Sequence, residues 1–221
     1  LNPVINDRSF GEDKYNVSIK SYYYMKGLQD NGVLACAKHF PGHGDTHVDS
    51  HKALPVINHS FQRLDTLELY PFQYLIDKGI ASVMVSHLFV PAIDSSKNLP
   101  SSLSPKTINE LLKTNMGFKG LVFTDALNMG GITGGFKAGE ADVKALLAGN
   151  DILLFPNEVP LVIEKIKQAI ENGEISQEEI DNRCKKVLMA KYWVGLNKIE
   201  EISLENLHSD LNNTEALLMK Q

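Results

Sequence analysis

The chain has 221 residues, 43% of them hydrophobic, 8% aromatic and 22% charged. That is enough for one sizeable core or two small ones, and it excludes a disulfide-held miniprotein and a disordered tail. Twenty-two Lys+Arg stand against 27 Asp+Glu, for a net charge of -5, and no Lys/Arg run tracks phosphates, so no nucleic-acid partner is expected. No stretch approaches the roughly 18 uninterrupted apolar residues of a membrane span, so no transmembrane segment is expected. The N-terminus lacks a basic-then-apolar signal. Cys36 and Cys184 fall in apolar or helical surroundings and read as buried thiols. The first residue is Leu1, and the loop-like Asn2-Pro3 follows with no helix or strand signal before it. This is expected of a chain that begins inside something larger.

Four short apolar runs, 33–38, 80–86, 120–124 and 151–155, are each bounded by turn residues and lack polar alternation. Such runs suit parallel strands buried on both faces. Between them lie helical stretches. Residues 13–29 end before Asn31-Gly32, and residues 61–77 stop at Gly79. Ser104 as N-cap and Pro105 as first helical residue open a helix over 106–115. Residues 140–147 close at Gly149 and 160–171 at Gly173, and Ser176 with Glu179 has capping-box spacing for a last helix to about Trp193. Alternating strands and helices predict a parallel α/β sheet. Four such units could complete a doubly wound sheet but could not close a (β/α)₈ barrel. No GxGxxG follows a strand and there is no GxxxxGK[ST], so a nucleotide cofactor has no support.

The chemistry concentrates at 38–51, K-H-F-P-G-H-G-D-T-H-V-D-S-H, where the first strand ends. Parallel α/β folds place their sites at that end of their strands. Four of the seven histidines lie here, His39, His43, His47 and His51, with Asp45 and Asp49 between them. A solvated loop has little need of so many imidazoles. One reading is a metal site built from alternating His and Asp. The other is acid–base work: Asp49 and His51 are two apart, so on extended backbone both side chains point the same way, and the carboxylate can fix the ring's tautomer. No HExxH accompanies the loop, and its glycines suit movement better than rigid ligation, which favours the acid–base reading. The third run ends in Asp125, which reads equally as a helix N-cap and as a catalytic carboxylate. The second ends in Ser86-His87, so three adjacent strands deliver polar groups to one edge.

Taken together, K-H-F-P-G-H-G-D-T-H-V-D-S-H at 38–51, V-M-V-S-H at 83–87 and G-F-K-G-L-V-F-T-D-A-L-N-M at 117–129 resemble the β-N-acetylglucosaminidases of glycoside hydrolase family 3. N-P-V-I-N-D-R-S-F-G at 2–11 and A-G-N-D-I-L-L at 148–154 fit the same family, and the long loop ending in Asp-Ser-His is absent from the related β-glucosidases. The resemblance implies a retaining exo-hydrolase that removes terminal β-linked N-acetylglucosamine, often from peptidoglycan fragments. It implies Asp125 as nucleophile, His51 as general acid/base and Asp49 as its dyad partner. It implies Arg8, Lys38 and His39 as hydrogen-bond partners of sugar hydroxyls, with no metal and no organic cofactor. Members of this branch have an eight-stranded (β/α)₈ TIM-type barrel, and the matching segments correspond to its last four strands. The implied division is residues 1–195 as the C-terminal half of that barrel and 196–221 as an extension or the start of a linker. The implied partner is the missing N-terminal half, which carries further sugar contacts, notably an acidic residue and an arginine. Four strands alone leave open edges, so the isolated chain is expected to be inactive and prone to associate. Two alternatives stand beside hydrolysis, a β-N-acetylglucosaminide phosphorylase and a catalytically incompetent sugar-binding fragment. The residues leave the compartment open between bacterial cytoplasm and periplasm.

Overall fold

The computed structural model describes residues 5–46, 54–133, 135–198, 201 and 203–219. Three parallel strands lie side by side in chain order: β1 (Cys36–Phe40), β2 (Ser82–Val85) and β3 (Leu121–Thr124). β2 and β3 pair in unbroken register from Ser82↔Leu121 to Val85↔Thr124, whereas the β1–β2 register shifts between Ala37 and Phe40. Gly120 lets β3 start tightly against its neighbour, since a Cβ there would sit 2.3 Å from the Ala81 carbonyl oxygen.

Parallel strands need long crossovers, and helices supply them. The helix Lys14–Asp30 starts where the Asp13 carboxylate accepts the Asn16 N–H, and it ends in a turn at Gly32, whose φ is 75°. The single helix expected over 61–77 is instead three pieces. Phe61–Arg63 is capped by Ser60, Leu64–Glu68 is a wide turn closed by a 2.8 Å bond from the Leu69 N–H to the Leu64 carbonyl, and Tyr70–Asp77 completes the crossover. Lys106–Asn115 is likewise wide-turned, with the Met116 N–H donating to the Leu111 carbonyl at 2.9 Å. The Ser104 hydroxyl accepts from the Thr107 N–H at 3.2 Å, as a cap should. Helices Glu140–Leu147, Val159–Glu171 and Gln177–Trp193 follow, the last opened by a reciprocal Ser176–Glu179 capping box.

One face of the sheet is covered. Ala37, Phe40, Val83, Val85 and Val122 pack against Met25 of Lys14–Asp30, Phe72 and Leu75 of Tyr70–Asp77, and Ile108, Leu111 and Leu112 of Lys106–Asn115. Phe40, Val83, Val85, Val122, Ile108 and Leu112 are all at 0% exposure, and each such side chain contributes about 1.5–3 kcal/mol of burial. The opposite face has no helix on it among the described residues. Cys36 and Lys38 are exposed and Met84 and Phe123 are half-buried, in alternation with the packed residues. Both cysteines are therefore exposed rather than buried, Cys36 because it lies on this uncovered face of an edge strand and Cys184 because it lines the open cleft between the last long helix and Leu146, Asp151 and Leu153.

The fourth apolar run makes a single parallel bridge, Phe123↔Ile152, rather than a strand. The Thr124 N–H donates to the Ile152 carbonyl at 3.1 Å and the Asp151 N–H to the Val122 carbonyl at 2.8 Å. Side chains add to these backbone bonds: the Asp151 carboxylate accepts the Val122 N–H at 2.8 Å, and the Thr124 hydroxyl accepts the Leu154 N–H at 2.9 Å. Phe155 then leaves extended backbone at φ 47°. Asp151 is also paired with Lys186 at 2.6 Å, which ties this segment to the last helix. No helix among the described residues is long and apolar enough to cross a membrane.

Candidate active site

Three strand ends converge, and the way each is anchored decides which side chains face outward. At the end of β1, Phe40 is buried against Phe72, with ring centroids 5.2 Å apart. Its carbonyl accepts from both the N–H and the hydroxyl of Ser86, each at 2.9 Å. The peptide bonds Lys38–His39 and Phe40–Pro41 are cis. Lys38 is exposed and His39 half-buried at the lip of the strand. Burial pushes the His39 imidazole down to about 4, against the pull of the Asp125 charge and with the help of Lys38, His43 and Arg8. All four groups thus lie within electrostatic reach of one ring, and that ring is neutral at physiological pH. Arg8 ends the short turn Asn6–Arg8 and is exposed.

The third strand presents Asp125, half-buried, directly after Thr124. Its backbone N–H donates to the Val85 carbonyl at 2.8 Å, and its Oδ1 accepts from the Ala126 N–H at 2.9 Å. The N-cap reading fails here: the next helix begins at Gly130, so Asp125 caps nothing. A half-buried carboxylate within electrostatic reach of the His39 ring, with one oxygen held and the other not spent on a helix, has the chemistry of a nucleophile or an electrostatic stabiliser.

The end of β2 behaves differently from expectation. Ser86 and His87 are both at 0% exposure and point inward rather than joining the outward group. Ser86 latches Phe40 as described, and His87 bridges Ser102 Oγ at 2.7 Å from Nδ1 and the Ala126 carbonyl at 2.9 Å from Nε2.

Asp49 and His51 lie outside the described residues. Their flanks are described. His43 is 5% exposed, meets the His39 ring edge-on at 5.9 Å and shares a 2.9 Å hydrogen bond between Nδ1 and Thr46 Oγ1. Gly42 has φ 135° and lies against Glu68, where a Cβ would come within 2.9 Å of the Glu68 Cβ. The His59 ring donates from Nε2 to Asp45 at 2.7 Å, while Arg63 lies 3.7 Å from Asp45 and donates to Glu68 at 3.0 Å. These four side chains join residues 41–46 to residues 59–68. Among the described residues, no group of three or more His, Cys, Asp or Glu is placed to hold a metal ion.

A helix-covered parallel sheet with Asp125 and His39 at the carboxyl ends of its strands, and Lys38 and Arg8 within electrostatic reach of the His39 ring, has the layout in which parallel α/β folds place their sites. The description "Glycosyl hydrolase family 3 N terminal domain" matches residues 1–190, and the chain belongs to that family, whose N-terminal domain is a TIM-barrel-like α/β fold. It is 33% identical over 209 residues to β-hexosaminidase A of Pseudoalteromonas piscicida, covering 86% of this chain and 35% of that protein. It is 39% identical over 196 residues to β-hexosaminidase LpqI of Mycobacterium bovis, covering 85% of this chain and 50% of that protein. The solved structure of a glycoside hydrolase family 3 β-N-acetylglucosaminidase from Paenibacillus sp. superposes with a TM-score of 0.88 at 39% identity, covering 92% of this chain and 39% of that one. The chain therefore spans between about a third and a half of the length of these relatives.

Proposed function

We propose that this chain is the nucleophile-bearing part of a retaining exo-β-N-acetylglucosaminidase. The observation that carries the reading is the meeting of Asp125, His39, Lys38 and Arg8 at one edge of the sheet. In this reading Asp125 attacks the anomeric carbon of a terminal β-linked N-acetylglucosamine and forms a glycosyl-enzyme ester. His51, oriented by Asp49, protonates the departing glycosidic oxygen and then takes a proton from the water that cleaves the ester. Lys38 and Arg8 donate to sugar hydroxyls. His39, neutral, donates and accepts there without adding charge. The substrate class is peptidoglycan fragments or similar β-N-acetylglucosaminides, and no metal or organic cofactor takes part.

The sheet is the last part of a (β/α)₈ barrel, residues 1–195, with 196–221 as an extension. What supports this over a doubly wound sheet is the one-sided cover: in a barrel helices line only the outer face, and here the inner face carries exposed Cys36 and Lys38. The preceding half of the barrel is then this chain's structural partner. The test is hydrolysis of p-nitrophenyl N-acetyl-β-glucosaminide by the chain joined to its preceding half, beside Asp125→Ala, with and without phosphate. Turnover lost in Asp125→Ala and indifferent to phosphate supports the hydrolase. Release of N-acetylglucosamine 1-phosphate only when phosphate is present favours a phosphorylase. Sugar binding without turnover favours a binding fragment.

A further inference from the structure

His87 was singled out by its place at a strand end, yet the chemistry above leaves it unused. It is at 0% exposure and cannot touch a substrate, so it acts through buried contacts, two of which fix its ring. The Ala126 carbonyl, 2.9 Å from Nε2, can only accept, so Nε2 carries the ring hydrogen. With that tautomer set, Nδ1 accepts from the Ser102 hydroxyl at 2.7 Å. Ser102 is itself fixed, because its N–H donates to the Ser86 carbonyl at 3.2 Å and its carbonyl accepts from Asn150 Nδ2 at 2.8 Å. Buried bonds therefore run without a break from Asn150 through Ser102 and His87 to Ala126.

Ala126 is where this line meets the site. Its carbonyl is held by His87, and its N–H donates to Asp125 Oδ1 at 2.9 Å. The next N–H, of Leu127, donates to the Leu154 carbonyl at 2.8 Å. The Ala126–Leu127 peptide plane is thus held at both its carbonyl and its N–H, and the Asp125 N–H, donating to the Val85 carbonyl at 2.8 Å, holds the plane before Asp125. The Asp125–Ala126 plane between these two anchors, which carries the N–H that engages Asp125 Oδ1, is thereby set, and with it the rotamer of the carboxylate.

We propose that His87 is a positioning residue for Asp125, acting through the Ala126 peptide. This rests on the reading of Asp125 as the nucleophile. During attack, Oδ2 forms the bond to the anomeric carbon as the bond to the leaving oxygen breaks. Oδ1 becomes the ester carbonyl oxygen and still accepts from Ala126. When water cleaves the ester, the same N–H stabilises the carboxylate that departs.

Two substitutions separate this role from simple core filling. In His87→Asn the amide nitrogen stands near the place of Nδ1, so a contact with Ser102 is available and the one to Ala126 is lost. In His87→Gln the amide nitrogen reaches toward the place of Nε2 and can still donate to Ala126. The first measurement uses this chain alone: ¹H–¹⁵N long-range spectra of the His87 ring, and amide exchange of Ala126 beside Val83, Val85 and Val122. The expected results are a neutral Nε2–H ring, roughly tenfold or faster Ala126 exchange in His87→Asn with the strand amides unchanged, and near-normal exchange in His87→Gln. An Nδ1–H ring, equal loss of protection across the strands, or an Ala126 rate unmoved by His87→Asn overturns the proposal. The second measurement uses the chain joined to its preceding half. In His87→Asn, kcat falls roughly ten- to a hundredfold with KM little changed, and His87→Gln recovers most of it. Equal kcat loss in both variants overturns the positioning role. If the parent shows no glycosidase turnover at all, the functional reading falls, and the exchange measurement still decides what His87 does.

Discussion

His39 offers a prediction that needs no substrate. Burial holds its imidazole at about 4 in the fold, against 6.5 for an ordinary histidine. Because the folded value is the lower one, the unfolded chain binds more protons between those two pH values. Stability linked to His39 is therefore present at neutral pH and is lost as pH falls through 6.5 toward 4. At 1.36 kcal/mol per pH unit, the loss by pH 4.5 is at most about 2.5 kcal/mol, and about 1.5–2.5 kcal/mol once water at the half-buried ring is allowed for. His39→Gln keeps a polar side chain and removes the titration. Urea unfolding of both proteins at pH 7.0 and 4.5 then isolates the residue, since carboxylates common to both cancel in the difference. Whatever the gap between the two at pH 7.0, it should shift by that amount in favour of the variant at pH 4.5. A gap that stays the same within about 0.5 kcal/mol would refute the claim that the ring is held neutral among Lys38, Arg8 and His43.

Gly42→Ala places a Cβ against Glu68 at a φ of 135°, so it should lower stability by roughly 1–3 kcal/mol, read from the urea midpoint. A neutral result would show that Glu68 yields without cost. Ser176→Ala removes half of the capping box that opens Gln177–Trp193 and should cost about 1 kcal/mol in the same assay. Lys186→Met leaves the Asp151 carboxylate, 4% exposed, without its ammonium. Because Lys186 itself is 30% exposed, the expected loss is about 2 kcal/mol, below that of a fully buried pair, read from the same urea midpoint.

The residues made some elements legible and hid others for definable reasons. Glu140–Leu147 and the Ser176 start of Gln177–Trp193 were readable because local caps and stops specify them. The first strand was expected at 33–38 and lies at Cys36–Phe40. Apolarity marked the whole approach, including Val33, 51% exposed, but pairing with Ser82–Val85 selects which residues join the sheet. The wide turn Leu64–Glu68 was invisible, since a 3.6-residue period gives no warning of one inserted residue. It also brings Arg63 to Glu68, five positions on, where an α-helix would have offered Leu67. At the candidate site, the family resemblance names Asp125, Lys38, His39 and Arg8, and the fold brings Asp125, Lys38 and Arg8 within electrostatic reach of the His39 ring. His87 was legible as polar and strand-terminal, but its inward direction depends on Ser102 and Ala126, which only the fold brings to it. Cys36 is exposed because one face of this sheet is uncovered, and an apolar run in the sequence carries no mark of that.

The most direct test of the account is to trap the intermediate. The chain joined to its preceding half is incubated with a 5-fluoro N-acetylglucosaminyl fluoride, digested and examined by mass spectrometry. The account predicts one glycosylated peptide, modified at Asp125 and absent from Asp125→Ala. A glycosyl group on any other residue, or turnover of substrate with no covalent species at Asp125, contradicts it.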